Sequence, residues 1–189
     1  TSSHPPASRA SPSAPPSAPP PPHSPGISVL DANEDLRRFF DNATAQLASS
    51  RVRLVVMPGV ISIGQPLKVQ EGADLTLEGF SSTDATVIDG GSTTRLLDVK
   101  GRLHLAHVVL QSGMSQLGGG LFVYSRASAA LHHVLIDRCE AFVPANGGWG
   151  HAHGGGLYVS KDARVELVDS VVNGSRAISN HYMLDGGDN

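Results

Sequence analysis

Two histidines separated by one residue, His151 and His153, are the sharpest chemical feature of this 189-residue chain. Alternate side chains on an extended segment share a face, so the pair would present two imidazoles of the kind that ligate zinc or copper. Two ligands do not complete a centre, and Asp162 or His181 would have to approach. The other reading is a glycine-rich loop that carries two histidines; no metal and no cofactor is expected. Trp149, the only tryptophan, lies just upstream in Asn146-Gly-Gly-Trp-Gly-His-Ala-His153. An aromatic on a glycine-flanked excursion suits stacking on a sugar ring, contact with a protein, or folding back over an edge. Trp149, His151 and His153 are therefore the candidate ligand-binding residues.

Other reactive groups are scattered. Hydrolysis of a glycosidic bond needs paired carboxylates, and glycan elimination needs calcium-binding acids with a basic proton acceptor. Neither grouping is legible, and Asp89, in Val87-Ile-Asp-Gly90, reads as a turn residue rather than a catalyst. His104, His107, His132 and His133 fall at or near equivalent repeat positions and read as outward histidines stacked coil on coil. Arg164 and Glu166 share a strand face and read as solvated charges. Cys139 is the only cysteine, which excludes an internal disulfide and any Cys-based zinc motif. It aligns with Gly113 and Ser175, so a reactive thiol is not expected. Asn42-Ala-Thr44 and Asn173-Gly-Ser175 are N-glycosylation sequons, making Asn42 and Asn173 candidate modified residues. No catalytic residue is assigned.

The elements that must position these groups follow from composition. Ten of the 13 prolines lie between Pro5 and Pro25, in a run with no aliphatic residue larger than alanine. Such a run cannot bury enough apolar surface to offset the entropy of ordering it. Residues 1–26 are thus expected to be a disordered Pro/Ser/Ala-rich stalk or linker of polyproline II character. Its composition resembles the hydroxyproline-rich stalks of algal and plant cell walls; a docking site for SH3-like modules is the alternative. Net charge is −3, and the three lysines (Lys68, Lys100 and Lys161) are far apart, which argues against a nucleic-acid partner. The longest apolar stretch, Leu54–Ile63, is broken by Pro58-Gly59 and falls short of the ~18–20 residues of a membrane span. The chain opens on Thr1 and closes inside what reads as a repeat, so it is read as a fragment.

Residues 27–50 are assigned to a capping helix. Asp31 or Asn33 would be its N-cap, Leu36, Phe39, Phe40, Ala43 and Leu47 its apolar face, and Ser49-Ser50 its end. From Arg51 the period changes to two, with short strands and frequent turns. Three segments then line up: His104–Gly113, Ala130–Cys139 and Glu166–Ser175. Leu105 to Leu131 is 26 residues and Leu131 to Leu167 is 36, the second lengthened by an insertion within Phe142–His153. Gly118-Gly-Gly-Leu-Phe-Val-Tyr124 and Gly154-Gly-Gly-Leu-Tyr-Val-Ser160 repeat in the same phase. A repeat of roughly 25 residues made of short strands is one coil of a parallel β-helix. Residues 51–189 would make about five coils, truncated at the C-terminus. Leu105, Leu131 and Leu167 would stack inward, and Gln111, Asp137 and Asn173 would form a polar ladder.

The run Leu54-Val-Val-Met-Pro-Gly-Val-Ile-Ser-Ile63, with Pro66–Val69, Leu75–Gly79 and Val87-Ile-Asp-Gly-Gly91, resembles the opening coils of pectin-lyase-like right-handed β-helix proteins. The Gly-Gly-Gly-Leu-Phe/Tyr-Val coils are similar to the repeats of polymorphic outer membrane proteins, which are adhesin-like. The resemblance implies an all-β, right-handed parallel β-helix, whose N-terminal end the helix read above would cap. The Asn-Thr-Asp, Asp-Asp, Gly-His-Gly and Arg-Ile-Lys motifs of polygalacturonases have no counterpart in this chain. The expectation is a non-catalytic extracellular or cell-surface module for adhesion, with a polysaccharide or a cell-surface or cell-wall protein as partner. The alternative is a polysaccharide lyase or epimerase acting on acidic polysaccharides, built from Asp89, Asp98 and the histidines; an intracellular interaction solenoid is a third reading.

Overall fold

The computed structural model describes residues 27–30, 51–80, 84–144 and 151–179. Among these residues every regular element is a strand. Strand β1 (Ile27–Leu30) comes first, followed by a coil of β2 (Arg51–Val56), β3 (Gly59–Ser62) and β4 (Leu67–Val69). The second coil is β5 (Asp74–Gly79), β6 (Thr86–Asp89) and β7 (Leu97–Val99). The third is β8 (Arg102–Ala106), β9 (Val108–Gln111), β10 (Met114–Ser115) and β11 (Leu121–Val123). The fourth is β12 (Ser128–His132), β13 (Leu135–Asp137), β14 (Glu140–Val143) and β15 (Leu157–Val159). The fifth runs through β16 (Arg164–Val168), β17 (Val171–Asn173) and β18 (Arg176–Ser179).

Each strand pairs in parallel with its counterpart one coil away. Sheet A is β1-β2-β5-β8-β12-β16, sheet B is β3-β6-β9-β13-β17, sheet C is β4-β7-β11-β15, and β10-β14-β18 form a shorter fourth sheet. This is an all-β solenoid of stacked parallel sheets. The expected helix over 31–48 lies outside the described residues. The strand Ile27–Leu30 was not anticipated: it extends sheet A by pairing with β2.

The core consists of three aliphatic columns, one per main sheet. Leu54, Leu77, Leu105, Leu131 and Leu167 are in register along sheet A. Ile61, Ile88, Leu110, Ile136 and Val172 do the same in sheet B, and Leu67, Leu97, Leu121 and Leu157 in sheet C. Burying one such side chain stabilises the fold by about 1.5–3 kcal/mol, and it is the neighbouring coils that bury it. Leu77, Leu105 and Leu131 are fully buried, whereas Leu167, in the last described strand of sheet A, is 45% exposed.

Sharp corners join the sheets, and most of them place one residue in the left-handed region. Between sheets A and B that residue is His107, His133 or Asp169, with φ of 54°, 52° and 48°. His and Asp are among the few residue types that enter this region readily. In the repeated triple glycine, Gly118 has φ 58°. A Cβ on Gly120 would lie 2.4 Å from the Gly156 carbonyl oxygen of the next coil. The repeat thus holds glycine there because adjacent coils touch backbone to backbone.

Candidate functional site

Two outward-facing polar features run along the solenoid. The first is a ladder at the end of sheet B, in which Asp89, Gln111, Asp137 and Asn173 are in register. Gln111 Nε2 donates to Asp89 Oδ2 at 2.9 Å, and the Gly91 amide donates to Asp89 Oδ1 at 2.8 Å. Asn173 Nδ2 donates to Asp137 Oδ1 at 2.8 Å and Arg138 Nε to Asp137 Oδ2 at 2.7 Å. The hydrogen bonds from Arg138 and then Asn173 hold the Asp137 carboxyl below the usual carboxylate range. Both oxygens of Asp89, the last residue of β6, are engaged. Gln111, Asp137 and Asn173 were expected to form this ladder; Asp89 extends it by one coil. Asn173 Nδ2, the atom a glycan would be attached to, is the donor to Asp137.

Cys139 lies beneath the ladder in the column with Gly113 and Ser175. Its Sγ accepts the Gly113 amide at 3.3 Å, and its own amide donates to Ser175 Oγ at 3.3 Å. Burial pushes its thiol up to about 11, so at neutral pH it is a protonated core group and a poor nucleophile.

The second feature is the outer face of sheet C. Leu121 and Val123 point into the core, so Phe122 between them points out. Lys68, Asp98, Phe122 and Tyr158 occupy this outward column in register. Phe122 is buried by its neighbours. The Tyr158 ring stacks on it at 5.0 Å, the Tyr124 ring tilts against it at 4.2 Å, and the Arg95 guanidinium sits 4.7 Å over it. Lys100 lies 5.1 Å over the Tyr124 ring. Contacts of this kind hold aromatic rings in fixed orientations.

Arg95 locks this face to the coil beneath. Its guanidinium pairs with Asp98, donates to Ser115 Oγ at 2.8 Å, and donates to the carbonyls of Leu117 and Gly118. Arg95 and Asp98 are both largely buried, so each satisfies the other's charge where water cannot.

Of the residues singled out from sequence, His153 adjoins the aromatic strip. Its ring is 6.3 Å from Tyr158 and 5.9 Å from His151. Trp149 and Asn42 lie outside the described residues. Among the described residues no group of three or more His, Cys, Asp or Glu side chains is arranged to hold a metal ion. Asp89 is in sheet B, Asp98 in sheet C and His104 in sheet A. The carboxylates and this histidine therefore face different directions and do not converge. His107 and His133 do stack, at 4.9 Å, whereas His104 pairs in register with Ala130 and His132 with Ala106. Arg164 and Glu166 are exposed and 3.8 Å apart.

Phe122, Tyr124, Tyr158, Lys68, Lys100 and Arg95 were missed from sequence as site residues. The signal was present: positions 122 and 158 are the aromatic third residues after the first two glycines of the repeated motif, on the outward phase of a strand. Compared with protein-family models, curated proteins and solved structures, the chain matches none of them.

Proposed function

We propose that this chain is a non-catalytic, extracellular or cell-surface β-helix module that binds glycan on the outer face of sheet C. The observation that carries this reading is the strip formed by Tyr158, Phe122 and Tyr124 with Lys100. Partly buried tyrosines pre-oriented by stacking present flat apolar faces to sugar rings at little entropic cost, with hydroxyls for the sugar's own. The handedness proposed is right-handed, as in the pectin-lyase-like proteins the sequence resembles and as parallel crossover connections favour. His153 borders the strip, its ring 6.3 Å from that of Tyr158. Fold alone says little about activity, because solenoids of this kind serve enzymes and adhesins alike.

The test is retention of the full chain on a panel of plant, algal and animal polysaccharides, with sugar products assayed in the same wells with and without calcium. The expected result is retention without new reducing ends or unsaturated sugars, lost in Tyr158→Ala. Calcium-dependent release of unsaturated products would instead make the chain a lyase.

A further inference from the structure

The corner that returns the chain from sheet C to sheet A is built alike at three of its four occurrences. Gln70-Glu71-Gly72-Ala73, Tyr124-Ser125-Arg126-Ala127 and Ser160-Lys161-Asp162-Ala163 are four-residue turns between strands. Each is closed by its fourth amide donating to its first carbonyl, at 3.1, 3.0 and 3.1 Å. Each has its third residue at positive φ: Gly72 at 81°, Arg126 at 65° and Asp162 at 61°. The corner after β7 is different, because only Lys100 and Gly101 separate it from β8. Gly101 there is pressed against the first turn, where a Cβ would meet the Gln70 carbonyl oxygen at 2.3 Å.

A short turn between two full-length ones leaves a notch. The turns around Gly72 and Arg126 are its walls, Lys100 and Gly101 its floor, and its volume is about 650 Å³. A smaller hollow of about 190 Å³, lined by Lys68, Asp98, Lys100 and Tyr124, continues it onto the outer face of sheet C.

The charges in this notch are unevenly satisfied. Asp74 is held by Arg51 and Arg102, each at 3.3 Å, with His104 at 3.9 Å, and Asp98 is held by Arg95. Among the described residues, Lys68, Lys100 and Arg126 have no carboxylate within ion-pair distance, and Glu71 is the one lining carboxylate without a cation. Three free cations against one free carboxylate surround a tyrosine face. Arg126 also occupies a backbone conformation that suits glycine, as its equivalent Gly72 shows. Its long cationic side chain is therefore not what the turn needs.

We propose that this notch is an anion-binding subsite that takes a carboxylate or sulfate group of an acidic sugar residue, the sugar ring lying on Tyr124. The proposal rests on the glycan-binding reading of sheet C and adds the class of sugar. Lys100 on the floor and Arg126 on the wall would donate charge-assisted hydrogen bonds to the anion, while Lys68 favours the next acidic group along the chain.

The full chain is titrated calorimetrically at low salt with polygalacturonate (carboxylate), dextran sulfate (sulfate ester) and dextran (neutral), as wild type, Lys100→Gln, Arg126→Gly and Tyr158→Ala. The expected result is tighter binding of at least one anionic polymer than of dextran, the tighter of the two naming the anion. Lys100→Gln and Arg126→Gly should each weaken it about tenfold, the scale of one charge-assisted hydrogen bond. Thermal midpoints should be unchanged, or raised in Arg126→Gly, because glycine relieves the positive φ. Equal affinity for all three polymers, or anion affinity unchanged in both charge variants, would overturn the subsite. Tyr158→Ala, which leaves the notch charges in place, separates the two claims. If it alone abolishes binding, the face stands and the subsite falls; if the charge variants alone weaken binding, the subsite stands and the wider face falls. No binding of any polymer overturns both.

Discussion

The ladder along sheet B and the strip along sheet C are both rows of polar groups in register, yet they differ in how their charges are met. In the ladder Asp89 and Asp137 accept hydrogen bonds at both oxygens, from Gln111, Gly91, Asn173 and Arg138. In the strip Arg95 and Asp98 satisfy each other, while Lys68 and Lys100 face solvent beside tyrosine rings. A closed row holds neighbouring coils in register. A row with free cations and oriented aromatics has capacity left for a partner.

The largest expected effect falls where the two kinds of row meet the core. Arg95→Ala leaves Asp98 buried without its partner and frees two carbonyls, so it should destabilise the fold by about 3 kcal/mol, measured by urea denaturation. Gln111→Ala breaks one rung of the ladder and should cost about 1 kcal/mol in the same assay.

Asp137 sharpens the comparison through pH. Its folded-state pKa is depressed, so its contribution is present above the unfolded carboxyl value and lost as pH falls through the lower folded value. Urea midpoints of wild type should decline over that acid range more steeply than those of Asp137→Asn. The smallest effect is expected at the strip's free cation: Lys100→Gln should change stability by less than about 0.5 kcal/mol. A large loss there would show that Lys100 belongs to a closed structural row after all.

Much of the scaffold was legible because a solenoid writes its register into the sequence. Leu105, Leu131 and Leu167 were aligned from their repeat, and they pair in that register. The triple glycines were visible for the same reason: the first of each triplet, Gly118 and Gly154, sits at positive φ, and the next two lie where neighbouring coils touch. The outward strip was harder to read. Leu121-Phe-Val123 is a continuous apolar run in which all three residues are buried, so period alone does not separate the outward Phe122 from its inward neighbours. The notch was harder still, since it arises from two residues absent at one corner and has no motif of its own. Strand β1 was missed because four residues followed by a helix-like pattern carry too little periodicity to assign.

The claim that the outer face of sheet C is a ligand surface is tested most directly by lysine footprinting. Only Lys68, Lys100 and Lys161 are present, so acetylation of the full chain with and without a retained polysaccharide reads the surface at three points. The account predicts that Lys68 and Lys100 are protected by the glycan while Lys161, which lines neither hollow, reacts as before. Unchanged acetylation of Lys68 and Lys100 in the bound state would contradict it.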